Sequence, residues 1–192
     1  VKSFDDAAAR KVKGVKNVFK VQMPVFAHNR EGEAIVADTL WAAQQARKAL
    51  KVEWDDSGFE HLDSEKLYQR MRDDLNKPGL SQRTGGDFAT AFEKAPKKVE
   101  AIYETPYESH SCMEPLSCIA HVQEDKCEIW GPIQAPDWIQ SDVSGRLKMK
   151  PENVIVNMTF LGGGFGRKAF TDYTYEAVLI SKEMKAPVQV VW

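Results

Sequence analysis

Four glycines within five residues, Gly162-Gly-Gly-Phe-Gly166, followed at once by Arg167 and Lys168, are the strongest chemical signal in the sequence. Glycine carries no side chain to hold a ligand off, so the main-chain amides of such a stretch can be approached closely. A helix beginning just beyond would add its dipole, and the two together suit an anion. Arg167 and Lys168 place cationic donors beside the loop. Known nucleotide loops match poorly. A Walker loop needs Gly-Lys-Ser/Thr where this chain has Gly166-Arg-Lys-Ala169, and Arg167 stands at the third glycine of GxGxxG. The pattern alone therefore admits a phosphate-type cradle or a purely structural turn, with Arg167 and Lys168 as an ordinary solvated helix start in the second case.

Other reactive residues give weaker patterns. His110, Cys112, Cys118 and His121, with Cys127 as a fifth, could form a metal set. Structural zinc takes ligands in tight pairs on a turn, whereas these fall along two expected strands whose alternation turns neighbours to opposite faces. Half-buried strand residues are the alternative. Glu114, between Met113 and Pro115, is a carboxylate in apolar context, either a paired core acid or a functional group. Gln134 lies where a strand gives way to a helix, the edge at which open α/β layouts bind ligands, although a capping or turn residue reads the same way. No Ser-His-Asp set, HExxH or catalytic carboxylate pair supports hydrolase chemistry.

Composition narrows the classes. The 192 residues are 43% apolar, and 26 Lys and Arg against 28 Asp and Glu give a formal charge of -2. That balance lacks the basic excess that nucleic-acid or anionic-membrane binding draws on. A chain of this size buries roughly 70% of its unfolded surface and needs neither disulfides nor metal to fold. The longest apolar run, Ala177 to Ile180, is far short of the ~20 residues of a membrane span. Three cysteines without C-x-x-C exclude an internal disulfide framework. The ending, Pro187-Val-Gln-Val-Val-Trp192, reads as an interrupted strand, so the chain is expected to be a segment of a longer polypeptide.

The elements that must position these residues can be read in order. Ser3, Asp5 and Asp6 predict a helix to about Lys13, stopped by Gly14. Val15 to Val21 reads as a strand, broken by Pro24 and the polar tip His28-Asn-Arg-Glu-Gly32, and Ala34 to Ala37 as a second strand. Asp38-Thr39 caps a helix with Leu40, Ala43 and Leu50 toward the core, and Lys51 to Trp54 is a third strand. A short polar helix from Asp63 carries Leu67, Met71 and Leu75, and 77–86 has linker chemistry. Val99–Tyr107, Ser117–Val122 and Cys127–Ile133 read as extended segments, the last two as a hairpin. A helix over Ala135–Leu147 has Pro136 in its first turn. A strand over Val154–Phe160, the glycine loop, a helix with Tyr173, Ala177, Ile180 and Met184 on its apolar stripe, and a closing strand complete the order.

Three motifs then act together. Gly162-Gly-Gly-Phe-Gly-Arg-Lys168, preceded by His110-Ser-Cys-Met-Glu-Pro115 and Gly131-Pro-Ile-Gln134-Ala-Pro, resembles the molybdopterin-binding subunit of xanthine oxidase family molybdenum hydroxylases. The flavour is that of the isoquinoline 1-oxidoreductase beta subunit and bacterial aldehyde oxidoreductases. The N-terminal module is similar to that family's α/β hammerhead domain, so the resemblance covers nearly the whole chain.

The resemblance implies an α+β fold: a hammerhead-like module over 1–56, a short helix and linker over 57–87, and the N-terminal part of a mixed-sheet molybdopterin-binding domain over 88–192. It implies that Gln134, Gly163, Gly164, Phe165, Gly166 and Arg167 bind the cofactor. The Phe165 main-chain amide would face an oxygen ligand of molybdenum and the Gln134 side-chain amide the metal's oxo group, neither being a direct metal ligand. Glu114 belongs to a family motif without an assignable catalytic role. The implied cofactor is molybdopterin, in its cytosine dinucleotide form. The implied partners are an iron–sulfur small subunit, the remainder of the large subunit and a small-molecule substrate, with neither nucleic acid nor a membrane span.

Departures shape the expectation further. Xanthine-type enzymes carry an acidic residue after the loop lysine, and here Ala169 occupies that position, which disfavours purines. The family's catalytic glutamate lies downstream of any residue in this chain, so the segment alone is expected to be inactive and to self-associate through exposed apolar surface. The expected whole hydroxylates an N-heterocycle or oxidises an aldehyde with water as oxygen source. The alternative is a non-catalytic phosphate- or nucleotide-binding module built on Gly162–Lys168. An export leader would precede Val1, which leaves the compartment open.

Overall fold

Two two-stranded ladders open the chain and a four-stranded sheet closes it. The structure, a computed structural model, describes residues 1–25 and 28–192. In order come β1 (Ser3–Asp5), β2 (Val15–Val25), β3 (His28–Ala37), α1 (Leu40–Ala49) and β4 (Lys51–Glu53). Then follow α2 (Ser64–Asp74), α3 (Phe88–Lys94), β5 (Ser117–Val122), β6 (Cys127–Gly131), α4 (Pro136–Leu147), β7 (Val154–Met158), α5 (Asp172–Met184) and β8 (Val188–Val191). Contacts divide the chain into two units, 1–54 with 109–192, and 55–108. The stretch 95–108 is fastened to α2. The Tyr107 amide donates to the Tyr68 hydroxyl at 3.1 Å, and Arg72 pairs with Glu104 at 2.5 Å.

In the first unit, the helix expected over 3–13 is absent apart from a single 3-10 turn at Ala9–Lys11. Phe4 pairs with Val52 in a β1–β4 ladder, Ser3 donates to Glu53 at 2.9 Å, and the Asp5 carboxylate turns the chain by accepting the Ala7 amide at 3.0 Å. Nor does Pro24 end β2. The strand reaches Val25, and the stretch read as a polar tip lies in β3, with Gly32 opposite Val21. A two-stranded ribbon tolerates proline where its missing N–H faces the open edge. Thr39 caps α1 as expected, accepting the Ala42 amide at 3.2 Å. The buried face is Ala42 and Ala46, however, with Leu40 exposed. Small residues let this helix approach the hairpin closely: a Cβ on Gly14 would lie 3.3 Å from that of Ala42.

The second unit contains α2 and α3, capped by Asp63 and Asp87. Leu67, Met71 and Leu75 on α2 are exposed. Val99–Tyr107, read as an extended strand, joins no ladder among the described residues; side chains of α2 hold it instead.

The main sheet has the order β7-β6-β5-β8. β5 runs antiparallel to β6 and β8, while β6 and β7 are parallel. A parallel pair needs a crossover, and α4 provides it. α5 packs across the sheet, and Ile129, Ile133, Ile139, Val143, Val154, Tyr173, Ala177 and Val178 fill the core between them. Met23 of β2 enters the same core, which is why the hairpin belongs to this unit. Gly131 stands opposite Met158, so β6 and β7 finish at the same edge. Among the described residues, no helix is long and apolar enough to cross a membrane.

Ile129, fully buried on the inner strand β6, tests this core. Ile129→Ala is expected to destabilise the protein by about 2–5 kcal/mol in urea unfolding. A loss near zero would remove β6 from the centre of the sheet.

Candidate functional site

Beyond the parallel pair, the segment leaving β6 carries Gln134 and the segment leaving β7 carries the glycine loop. Because both strands end together, the two exits lie side by side. The Thr159 amide donates to Gly131 O at 2.9 Å, extending the ladder, and the Gln134 amide donates to Lys168 O at 3.1 Å. The Gln134 side chain then enters the loop. Its Oε1 accepts the amides of Gly166 at 3.1 Å and Lys168 at 3.2 Å. Gly164 must be glycine for this to happen: a Cβ there would sit 2.4 Å from that Oε1. With Oε1 engaged, the Gln134 Nε2 group is the side chain's remaining donor and has no hydrogen-bond partner among the described residues.

Backbone geometry in the loop is unusual for a non-glycine residue. Gly163 and Gly166 have φ of 91° and 90°, and Phe165 between them has φ of 49°. A left-handed phenylalanine persists only where its surroundings over-determine it, and such residues gather at functional sites. Phe165 is exposed, with its ring edge over Gly163, where a Cβ would meet Cε2 at 3.2 Å. Among the described residues, the amides of Gly163, Gly164 and Phe165 donate to no partner, whereas those of Gly162, Gly166, Arg167 and Lys168 are all taken. Three successive free donors in a side-chain-poor loop can accept an anionic or oxo-bearing group.

The loop is anchored from below. Lys168 is fully buried, and its ammonium donates to Glu114 Oε2 at 2.6 Å. The same oxygen accepts the Gly162 amide at 2.8 Å, and the Glu114 amide returns a bond to Gly162 O at 3.3 Å. A Cβ on Gly162 would lie 2.6 Å from that of Glu114, so this contact also requires glycine. The Tyr173 hydroxyl is buried within reach of Pro132 O at 3.1 Å and Lys168 O at 3.4 Å, bracing both exits from α5. Burial, then the fields of Cys118 and Asp172, push its phenol up, so it stays a neutral donor.

Sequence reasoning had Arg167 and Lys168 as cationic donors beside the loop. Lys168 instead points into the protein toward Glu114. The Arg167 guanidinium forks onto Asp172 at 2.9 and 2.6 Å. Burial raises the Asp172 carboxyl, but the Arg167 hydrogen bonds and charge, the Tyr173 amide and Arg30 outweigh it and hold the group below its ordinary value. The helix expected directly after the loop is first a 3-10 turn at Arg167–Ala169, and α5 begins only at Asp172. Tyr173 and Asp172 escaped the sequence reading because an apolar stripe and a helix start are their ordinary explanations.

The conceivable metal set does not converge. Cys118 and Cys127 are buried in the sheet core, where burial and then a neighbouring group, Cys127 and Glu128 respectively, push the thiols up to about 12 and about 11. His121 contacts Gln123 at 3.3 Å, and the Cys112 thiol donates to Gly164 O at 3.4 Å. Among the described residues, no group of three His, Cys, Asp or Glu is placed to hold a metal ion.

Comparison with known proteins adds a family. The model of the molybdopterin cofactor-binding domain matches residues 71–192. The molybdenum-binding subunit PaoC of the Escherichia coli K12 aldehyde oxidoreductase is 32% identical over 184 residues, 93% of this chain and 24% of that protein. Isoquinoline 1-oxidoreductase subunit beta of Brevundimonas diminuta is 25% identical over 205 residues, 98% of this chain and 24% of that one. A solved Cu,Mo-CO dehydrogenase superposes with a TM-score of 0.73 at 22% identity, over 100% of this chain and 30% of its own, and so shares the fold. The chain thus spans about a quarter of the length of the curated relatives named here.

Two predictions follow from the anchoring. The Lys168 hydrogen bond, and then the Gly162 amide, hold the Glu114 carboxyl below its ordinary 4.5. A depressed carboxyl contributes stability above its unfolded pKa and loses it as pH falls through the folded value. Wild type should exceed Glu114→Gln by about 1–3 kcal/mol near neutral pH, toward the low end because Glu114 is partly exposed. In urea unfolding at stepped pH that gap should close as pH falls below 4.5 and through the folded value; a constant gap would reject charge as its source. Gly164→Ala should cost about 1–3 kcal/mol by overpacking against Gln134. The double variant Gly164→Ala with Gln134→Ala should recover part of that loss, and strictly additive losses would mean the two residues do not meet.

Proposed function

The chain belongs to the molybdopterin cofactor-binding domain family, and from that premise we propose that its glycine loop and Gln134 form one wall of the cofactor site in a molybdenum hydroxylase subunit. The carrying observation is the run of unpartnered amides at Gly163, Gly164 and Phe165 beside a glutamine with one amide face to spare. These residues fit such a group. The loop offers donors and no side chain at Gly164, and a Cβ there would already collide with Gln134. Gln134, Gly163, Gly164, Phe165 and Gly166 would hold the cofactor. Arg167, also in the proposed set, contributes main chain there while its guanidinium fixes the loop's exit. The bound cofactor would supply two-electron hydroxylation with water as the oxygen source. The protein's part is to hold donors in place before the chemistry begins, which avoids reorganisation during it.

The finer assignments rest on likeness. The cytosine dinucleotide form of the cofactor, a hammerhead-like module over 1–56, a linker over 57–87 and a cofactor domain beginning near 88 are proposed from the resemblance. β1 to β4 and α1 supply the strands and helix such a module needs. An aldehyde or an N-heterocycle such as isoquinoline is the proposed substrate, by analogy with the relatives' printed names. Ala169 offers no acid to a purine. Electrons would pass to iron–sulfur clusters on a partner subunit, and the catalytic base would come from the remainder of the large subunit. Met113, Phe160 and Phe165, all exposed, give that remainder apolar surface to cover. The alternative phosphate- or nucleotide-binding module has no support among the matched relatives.

Gln134→Ala in the full-length enzyme is the direct test. Turnover should fall about 10- to 100-fold, as for other groups that orient a metal centre without ligating it. Molybdenum and pterin should still be recovered from the wild-type parent. Unchanged turnover would reject the placement of Gln134, and a parent containing neither molybdenum nor pterin would reject the reading as a whole.

A further inference from the structure

We infer that Arg30, on the β2–β3 hairpin, is a positioning residue for the glycine loop, acting through Asp172 on Arg167. Arg30 is far from the loop in sequence and, among the described residues, makes no hydrogen bond or ion pair with Gly162 to Gly166. It reaches Asp172 Oδ2 at 3.3 Å and Glu176 Oε1 at 2.6 Å, both on α5. Asp172 is the carboxylate onto which Arg167 forks, and Glu176 also accepts the Trp192 indole N–H at 2.7 Å. The guanidinium carbons of Arg30 and Arg167 lie 4.7 and 5.0 Å from the Trp192 ring centroid. Two cations, two carboxylates and one indole therefore close a ring that joins the hairpin, α5, the residue after β8 and the exit of the loop.

The ring's position gives it a role. Phe165 and Gly166 are consecutive left-handed residues, and Arg167 follows them directly. Glu114 fixes the entry of the loop and Gln134 holds the amides of Gly166 and Lys168 on either side of Arg167, so the Arg167 fork is the side-chain hold on the residue between them. Asp172 is almost wholly buried, with a side-chain exposure of 8%. If Arg30 were removed, one guanidinium would face two carboxylates, and Arg167 could be shared toward Glu176. The direction of the chain leaving Gly166 would then be less sharply set. Lysine is a poor replacement, because a single ammonium cannot bridge two carboxylates and lie flat over an indole as guanidinium does.

The inference rests on the proposed function only for what the loop holds, and the experiment separates the two. In the full-length protein, amide hydrogen exchange is followed at the bonded amides of Gly166 to Ala169 for wild type, Arg30→Ala, Arg30→Lys, Asp172→Asn and the double variant Arg30→Ala with Asp172→Asn. Arg30→Ala should speed exchange at these amides roughly three- to tenfold, with amides of β5 and β6 unchanged. Lysine should restore less than half of the protection. The double variant should exchange no faster than Asp172→Asn alone, as expected for residues acting through one contact. Unchanged loop exchange, an equal rise across the sheet core, or multiplying effects in the double variant would each overturn the inference. Molybdenum and pterin content of the same wild-type sample tests the proposed function alone: their absence would remove the cofactor while leaving the exchange result to decide on Arg30.

Discussion

The parallel pairing of β6 and β7 brings Gly131 and Met158 to the same edge of the sheet, so the two chain segments leaving it must share one small space. Peptide groups that leave a ladder need new partners when they are shielded from water. One residue meets most of that need, because Gln134 Oε1 accepts two loop amides while the Gln134 main-chain N–H donates to Lys168 O. The three donors left over at 163–165 are a consequence of how the rest were satisfied. Had the strands been antiparallel, the two exits would have lain at opposite ends, and no loop of this composition could have met Gln134.

Around that contact, glycine at each position answers to a different neighbour. Gly164 makes room for Gln134, Gly162 for Glu114, and Gly131 for the Ser117 carbonyl, which an added Cβ would approach to 3.0 Å. Gly163 and Gly166 supply positive φ. The electrostatics are equally divided. Lys168 is turned inward and neutralised by Glu114, and Arg167 is neutralised by Asp172, so neither presents a bare cation to a ligand. What the loop offers is a set of oriented dipoles. Dipoles stabilise developing charge without the desolvation cost of a buried ion, and they bind less indiscriminately than a basic patch would.

The hairpin near the N-terminus is tied to this arrangement in two ways. Met23 packs into the same core as Ile129 and Tyr173, and Arg30 reaches the acids of α5. The small first module and the cofactor-domain sheet are therefore parts of one unit, even though residues 55–108 lie between them in sequence. The intervening unit, 55–108, holds itself together through Tyr68, Arg72 and their partners around 104–107.

From residue order alone the glycine loop, Gln134 and Glu114 could be singled out, and β5, β6, α4, β7, α5 and β8 found close to their places. Glycine density, β-branched runs and a proline in a helix's first turn are local signals that need no partner to be read. Where the local signal was ambiguous the reading failed. Asp5 suits a helix start as well as a turn, Val99 to Tyr107 has strand composition without a ladder, and α1 buries alanines in place of Leu40. The inward turn of Lys168, the capture of Arg167 by Asp172, the brace at Tyr173 and the reach of Arg30 depend on groups distant in sequence or on opposite sides of a turn. Sequence determined which residues could bare the backbone and which could carry charge. Only the tertiary structure decided where the charges pair and which amides remain free, because both depend on two strands ending at one edge.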